Sequence, residues 1–304
     1  MTLTVAITGA TGFIGRQITK DLLARGCRVR ALTRAAKQNT GENLIWVRGS
    51  LENPQALTGL MTGADAVIHC AGQVRGSSEA VFTECNVTGS VSVMQAAQAS
   101  GSCKKFLFIS SLAARHPELS WYANSKYVAE QQLHKLAGDM TLGIFRPTAV
   151  YGPGDKELKP LLNGLLRGVL PQLGSRDAIL TFIHVSDMAA AVTQWVLADN
   201  SQAGIYELCD GVEGGYSWTR MQQIGAAIRQ GPVRLIPVPL SLLKLIATLS
   251  MMWNRLVNTE PMLTQSKIRE LTHPDWTASN QQLTKAVGWV PEVSLERALR
   301  EGLF

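Results

Sequence analysis

The side chains best suited to chemistry in this sequence lie in Trp121–Lys126, W-Y-A-N-S-K, with the Ser110-Ser111 pair just upstream. Tyr122 and Lys126 are four residues apart, so a helix over this stretch stacks them on one face, a turn apart. A free phenol has a pKa near 10 and is only ~0.1% ionised at neutral pH. A neighbouring ammonium favours the phenolate and lowers that pKa. Such a tyrosine exchanges a proton with a substrate oxygen near pH 7. The Ser111 hydroxyl could hold the same oxygen in line. Tyr-x-x-x-Lys alone also suits a half-buried tyrosine beside a solvated lysine, so the pair needs support from the rest of the chain.

That support starts at the amino-terminal end. Leu3–Thr8 is a short β-rich run, followed by glycines at 9, 12 and 15 and an amphipathic pattern through Arg16–Arg25 that stops at Gly26. Arg28–Thr33 reads as the next strand. Strand, glycine turn, helix and strand are the context a phosphate loop requires. Gly9 permits the tight turn, Gly12 lets backbone approach a pyrophosphate, and Gly15 allows helix to pack on strand. The helix N-terminus offers free amides and a positive dipole end. At the end of the second strand, where NAD enzymes place an acid for the ribose 2′-hydroxyl, this chain has Thr33 and then Arg34, with Arg28, Arg30 and Lys37 nearby. A guanidinium takes the 2′-phosphate of NADP bidentately. NADP is therefore preferred over NAD, the alternative being a solvated Arg34 and an indifferent site.

Leu44–Arg48 is a third strand, followed by Ser50-Leu51. Ala66–Cys70 is a fourth, and the small residues of H-C-A-G at His69–Gly72 leave room for cofactor backbone. His69 reads as a packed strand-end histidine. Ser78–Ser100 is a long helical pattern containing Asn86. Lys105–Ile109, K-F-L-F-I, suits a buried parallel strand. Ser110-Ser111 sit at its carboxyl end, where open α/β sheets bind ligands. Tyr122–Leu136 continues as a helix and Leu142–Arg146 as a strand. The alternation predicts a Rossmann-type, doubly wound parallel sheet in an α/β fold.

Composition narrows the class. The 304 residues are 46% hydrophobic and 17% charged, as in a globular chain with a real core. Net charge is +6, but the basic residues are scattered, so no nucleic-acid partner is expected. The five cysteines, Cys27, Cys70, Cys85, Cys103 and Cys209, show no C-x-x-C spacing, which argues against a disulfide framework or zinc site and fits a reducing compartment. Met1 leads into a strand pattern with no charged and apolar leader, so a cytoplasmic location is expected. No apolar run reaches ~18 residues, so no transmembrane helix is expected.

Together the motifs resemble a known family. T-G-A-T-G-F-I-G at Thr8–Gly15, I-S-S at Ile109–Ser111, Tyr122–Lys126 and R-P-T-A-V-Y-G-P-G-D at Arg146–Asp155 are similar to those of the extended short-chain dehydrogenase/reductases, which include the NAD-dependent epimerase/dehydratases. F-I-H-V-S-D-M-A at Phe182–Ala189 and G-I-Y-E-L at Gly204–Leu208 resemble later segments of that group. The resemblance implies that Tyr122 is the acid/base, that Lys126 lowers its pKa and bonds the nicotinamide ribose, and that Ser111 orients the substrate oxygen, with Ser110 as fallback. It implies a cofactor site of Gly9, Thr11, Gly12, Phe13, Ile14 and Gly15 around the pyrophosphate. Thr33, Arg34, Ser50 and Leu51 would serve the adenosine end. Cys70, Ala71, Gly72, Asn86, Ile109 and Ser110 would line the groove, with Tyr122 and Lys126, and Pro147, Thr148 and Val150 would lie near the nicotinamide. The acid usual after the third strand is Ser50 here, leaving backbone to contact adenine. The Ser111-to-Tyr122 interval, with Arg115, His116 and Pro117, is short for a sugar-nucleotide epimerase, and Arg34 resembles the arginine of plant-type NADP reductases.

The implied activity is hydride transfer between nicotinamide and a carbonyl or secondary alcohol of a small or lipid-like substrate. Alternatives are a nucleotide-sugar 4-epimerase or dehydratase, and a non-catalytic cofactor-binding assembly protein. The resemblance also implies a homodimer, paired through the helices at Ser78–Ser100 and Tyr122–Leu136. It divides the chain into a dinucleotide-binding domain at 1–155, with returning segments near 180–212, and a smaller substrate domain at 156–180 and 213–304.

In that second part, Leu158–Leu170 and Trp218–Gln230 read as helices. Pro237–Trp253 is unusually apolar, with Lys244 its only charge. It reads as a core helix, as a wall for a greasy substrate, or as an interfacial membrane helix or dimer face. Lys267, Arg269, His273 and Trp276 are expected nearer the substrate cleft than the cofactor. Gly288-Trp289 before Pro291 resembles the family's closing turn.

Overall fold

The computed structural model describes residues 2–38, 41–257 and 264–304. β1 (Thr4–Thr8) runs through the glycine turn into α1 (Phe13–Ala24), and Gly26, at φ +79°, turns the chain into β2 (Arg28–Thr33). β3 (Leu44–Arg48), α2 (Pro54–Met61) and β4 (Ala66–His69) follow. The Asn53 side chain caps α2 by accepting from the Ala56 amide at 2.9 Å. A helical rod then passes through α3 (Glu79–Phe82), a π-helical segment at Thr83–Thr88 and α4 (Gly89–Ser100). β5 (Lys105–Ile109), α5 (Trp121–Leu136) and β6 (Thr141–Pro147) complete the first half.

The second half comprises β7 (Ala149–Tyr151), α6 (Lys159–Leu166), β8 (Val169–Leu173), β9 (Ile179–Leu180), β10 (Phe182–His184), α7 (Val185–Leu197) and β11 (Gly204–Leu208). β12 (Tyr216–Ser217), α8 (Trp218–Arg229), β13 (Arg234–Val238), α9 (Leu240–Val257), α10 (Gln265–Leu271), α11 (Gln281–Val287) and α12 (Leu295–Glu301) follow.

The main sheet has seven parallel strands in the order β11-β6-β5-β4-β1-β2-β3. Strand order reverses between β1 and β4, the switch point at which such sheets open a ligand crevice. Two apolar layers hold it. Ile18 and Leu22 of α1 meet Met188, Val192 and Trp195 of α7 on one face. Leu57 and Leu60 of α2, Val93 and Met94 of α4, and Leu133 of α5 cover the other. Each such fully buried side chain contributes about 1.5–3 kcal/mol. The apolar β5 pattern buries both faces between these layers, as its sequence predicts.

A third cluster gathers Leu162, Leu165, Leu170, Tyr216, Trp218, Met221 and Leu299 around α6, α8 and α12. Buried Asp210 ties it together by accepting from the Tyr216 hydroxyl at 2.5 Å and the Leu295 amide at 3.0 Å. The helix expected over Leu158–Leu170 stops at Leu166. Gly168 takes φ +94°, and Val169–Leu173 instead pairs in parallel with β13. The core-helix reading of Pro237–Trp253 is also overturned. Pro237 belongs to β13, and α9 buries Leu243 and Ala247 while Leu242, Leu245, Ile246 and Leu249 stay exposed.

Candidate active site

The glycine turn is shaped by close approach. Gly9 has φ +74°, and a Cβ there would lie 2.6 Å from the Ala71 nitrogen and 2.7 Å from the Cys70 carbonyl carbon. Only glycine lets β1 and β4 converge here. The Gly12 amide donates to the Gly9 oxygen at 2.9 Å, and a Cβ on Gly15 would strike that same oxygen. Gly12 caps α1 without a side chain, so it leaves the amides of Phe13, Ile14 and Gly15 at the open dipole end. Beneath the turn, Thr8 Oγ1 meets His69 Nδ1 at 2.7 Å, and His69 Nε2 meets Ser90 Oγ at 2.8 Å. Burial, with Lys126 second, lowers the His69 pKa to about 3. It is the packed strand-end histidine expected.

At the adenosine end, Arg34 lies exposed after β2. The Cys85 thiol is pushed up by burial, with Lys126 and Arg34 pulling the other way. Thr33 is corrected as a side-chain ligand, because its hydroxyl folds onto Ala35, accepting from that amide at 3.2 Å. Arg30 is drawn off as well, its guanidinium donating to the Leu60 and Gly59 carbonyls. Lys37 stacks 4.1 Å from the Trp46 ring centre. Ser50 Oγ accepts from the Glu52 amide at 3.3 Å, and Leu51 packs against Gly89.

Asn86, expected as a cofactor contact, is turned to a different task. Its Oδ1 accepts from the Gln73 amide at 2.7 Å, and its Nδ2 donates to Gln73 O and Ser125 Oγ, each at 2.9 Å. It therefore fixes the segment after β4 to α5. Ser110 is likewise corrected as the fallback for Ser111. Its hydroxyl is held by Glu130, a buried carboxylate that Arg146 grips through Nε at 3.0 Å and Nη2 at 2.5 Å. This triad fastens the end of β5 to α5 and β6.

Ser111 and Tyr122 are brought together. Ser111 Oγ caps the following turn by accepting from the Ala113 amide at 3.2 Å, and sits near enough to the Tyr122 phenol to pull its pKa down. Ser120 starts α5 by accepting from the Ala123 amide at 2.9 Å, and itself donates to Glu270 at 2.8 Å. Lys126, one turn into the helix, donates from Nζ to the Ile109 carbonyl at 2.9 Å and lies 4.8 Å from the Phe108 ring centre. Burial lowers its pKa to about 8, against the raising influence of Cys70, Cys85 and Glu130. The expectation for Tyr122 is reversed in sign. Burial raises its pKa, the nearby Ser111 hydroxyl opposes that rise, and Glu270 and Cys70 add to it. Burial outweighs every charge near the phenol in the cofactor-free protein.

A crevice of about 10 Å³, room for roughly one water, lies beside Tyr122 and is bordered by Val74, Arg75, Phe82, Ser120, Thr264 and Lys267. The Phe82 ring stands edge-on to Tyr122 at 6.3 Å, and Lys267 Nζ lies 5.3 Å from the Tyr122 ring centre. Of the four residues expected near the substrate cleft, Lys267 borders this crevice. Arg269 instead donates to the Leu119 carbonyl at 3.0 Å, and His273 and Trp276 pack around His116 at 4.4 and 5.8 Å. With Arg115, which donates to the Thr277 carbonyl at 2.8 Å, they clamp the short Ser111-to-Tyr122 loop. At the far side, Pro147 and Thr148 are buried at the end of β6, and Val150 lies in β7. The Thr148 hydroxyl is buried with no partner, an orphan donor where a polar ligand group fits. Glu130, Ser120 and Glu270 carried no site signal in sequence. Only the serine ahead of the helical run, an N-cap residue type, was readable.

A glycine cradle, an open helix terminus and a serine–tyrosine–lysine set at one sheet edge fit a nicotinamide dinucleotide. They define a nucleotide-dependent enzyme of the short-chain dehydrogenase/reductase superfamily. The chain belongs to the NAD dependent epimerase/dehydratase family, whose profile matches residues 5–209. It is similar to a ceramide reductase of Caulobacter vibrioides, at 36% identity over 93% of this chain and 88% of that protein. It is also similar to the UDP-glucose 4-epimerase of Vibrio cholerae, at 28% identity over 82% of this chain and 83% of that one. Among solved structures, MoeE5 in complex with UDP-glucuronic acid and NAD shares the fold, with a TM-score of 0.74 at 21% identity over 98% of this chain and 96% of that one.

Proposed function

We propose that the chain is a reductase that uses NADPH to convert a carbonyl of a long-chain lipid into a secondary alcohol. The observation that carries this reading is the placement of Ser111 just past the end of β5 and of Tyr122 and Lys126 on the first turns of α5, with the Phe82 ring edge-on to Tyr122. The similarity to a ceramide reductase, spanning nearly all of both chains, supports a lipid of the fatty-amide class.

The amides of Phe13, Ile14 and Gly15 would hold the pyrophosphate, Arg34 the 2′-phosphate, and Pro147, Thr148 and Val150 the nicotinamide end. Bound there, the reduced ring supplies a hydride to the carbonyl carbon. Ser111 donates to the carbonyl oxygen and fixes it beside Tyr122. The phenol O–H bond breaks as its proton passes to that oxygen, leaving a phenolate. Tyr122 is protonated at neutral pH, as a proton donor must be. Lys126 keeps a positive charge below pH about 8 and would hold the ribose end of the cofactor beside Ile109. Asn86 and Glu130 act by positioning, holding α5 against the ends of β4 and β5.

The test is nicotinamide oxidation by purified protein supplied with NADPH and long-chain oxo-amides. The reading fails if no oxo-lipid is turned over. The similarity to an epimerase supports a second reading, isomerisation of a nucleotide sugar, which would show sugar interconversion without net nicotinamide turnover. Two copies are taken to pair through the outer faces of α4 and α5, a matter for the mass in solution. A cytoplasmic setting rests on the five free cysteines.

A further inference from the structure

α9 has two apolar sides. Leu243 and Ala247 pack with Ile268 of α10, Leu173 of β8 and Val238 of β13. At 100° per residue, Leu245 and Leu249 fall on the opposite side, with exposed Leu242 and Ile246 on the flank between, and Leu245 and Leu249 are 55% and 56% exposed. Polar Ser241, Lys244 and Thr248 occupy one narrow flank. The patch does not end with the helix. Ile236 of β13 and Val169 of β8 share the ribbon face that carries Val238 and Leu173, and both are exposed.

Charge selects the occupant. Between Glu213 and Glu260 the sequence holds no acidic residue, while Arg220, Arg229, Arg234, Lys244 and Arg255 are basic. Arg234 pairs with Val169 at the rim of the exposed ribbon. A second copy meeting this face across a twofold axis would bring basic flank to basic flank, with no acid in the stretch to answer it. An apolar helix face flanked by Lys244, with Arg234 at the rim of the ribbon, instead matches the boundary of an anionic bilayer. Among the described residues no helix is long and apolar enough to cross a membrane, so the contact is peripheral.

We infer that the outer face of α9, continued by Ile236 and Val169, docks on the surface of an anionic lipid bilayer. Position gives this a function. Ile268 of α10 faces α9, while its neighbour Lys267 borders the crevice beside Tyr122. Docking through α9 would place lipid on the side of that helix away from α10, with α10 linking it to Tyr122 through Lys267. The use of the surface rests on the lipid-reductase reading, but the docking does not.

The experiment is vesicle flotation of the full chain, with no turnover step. The probes are vesicles of equimolar phosphatidylglycerol and phosphatidylcholine, and vesicles of phosphatidylcholine alone. The wild type floats with the anionic vesicles and is released by salt. A Leu245→Glu, Leu249→Glu double variant, altered only at exposed positions, binds about tenfold more weakly or worse, with unchanged NADPH affinity and unchanged mass in solution. Failure of the wild type to float, or equal flotation of the variant, overturns the inference. A halved mass in the variant without flotation of the wild type assigns the face to a second copy. Because binding is read without catalysis, a negative result here leaves the reductase assignment standing, and the converse holds too.

Discussion

Lys126 donates to the Ile109 carbonyl at 2.9 Å and does not reach the phenol that precedes it by one turn. A shared helix face brings the two residues into one groove, but it does not make them partners. Lys126 thus acts as a buried cation anchored to the end of β5. Its pKa, lowered by burial to about 8, predicts the pH profile. The lysine is charged below that value and neutral above it. kcat/KM for reduction should be flat through neutral pH and fall about tenfold per pH unit above about 8. Lys126→Met should lose about a hundredfold or more at pH 7. Initial rates across pH check both.

Arg34 is an exposed cation at the end of β2. Arg34→Ala should weaken NADPH by about tenfold or more, the worth of a hydrogen bond to a charged group. NADH affinity should barely change. Titration of cofactor fluorescence separates the two, and equal losses for both cofactors would remove Arg34 from the 2′-phosphate.

Glu130 is 1% exposed and held by Arg146 and Ser110. Glu130→Gln leaves the Arg146 guanidinium without a counter-charge. The expected cost is about 3–5 kcal/mol of stability, read as a shift in the urea midpoint at unchanged slope.

His69 makes a pH-dependent contribution to stability. Its folded pKa, about 3, lies below the ordinary 6.5. Below pH 6.5 the unfolded chain binds a proton that the folded chain refuses, so stability declines as pH falls from 6.5 toward 3. His69→Leu should show a flatter dependence than the wild type over that window, even though it is less stable at neutral pH.

Much of this was legible in the residues. Arg28–Thr33, Leu44–Arg48, Lys105–Ile109 and Gly204–Leu208 form strands with the bounds the sequence suggests; Lys105–Ile109 is buried along nearly its whole length, while Leu44–Arg48 and Gly204–Leu208 are the half-exposed edges of the sheet. The glycine turn was legible because only glycine tolerates the approach of Ala71 to Gly9. What escaped depends on distant partners. Asn86 is taken by Gln73 and Ser125, and Ser110 by Glu130. The apolar run after Leu158 is divided by its pairing with β13. The sign of the Tyr122 shift escaped too, because burial depends on what packs around α5 rather than on the four-residue spacing.

The account turns on Tyr122 as proton donor, and one substitution tests it. Tyr122→Phe removes the hydroxyl and keeps the ring against Phe82. The account predicts unchanged NADPH affinity and a fall in kcat of about a thousandfold, within the range for loss of a general acid. A Tyr122→Phe protein that oxidises NADPH at the wild-type rate in the presence of the oxo-lipid would contradict it.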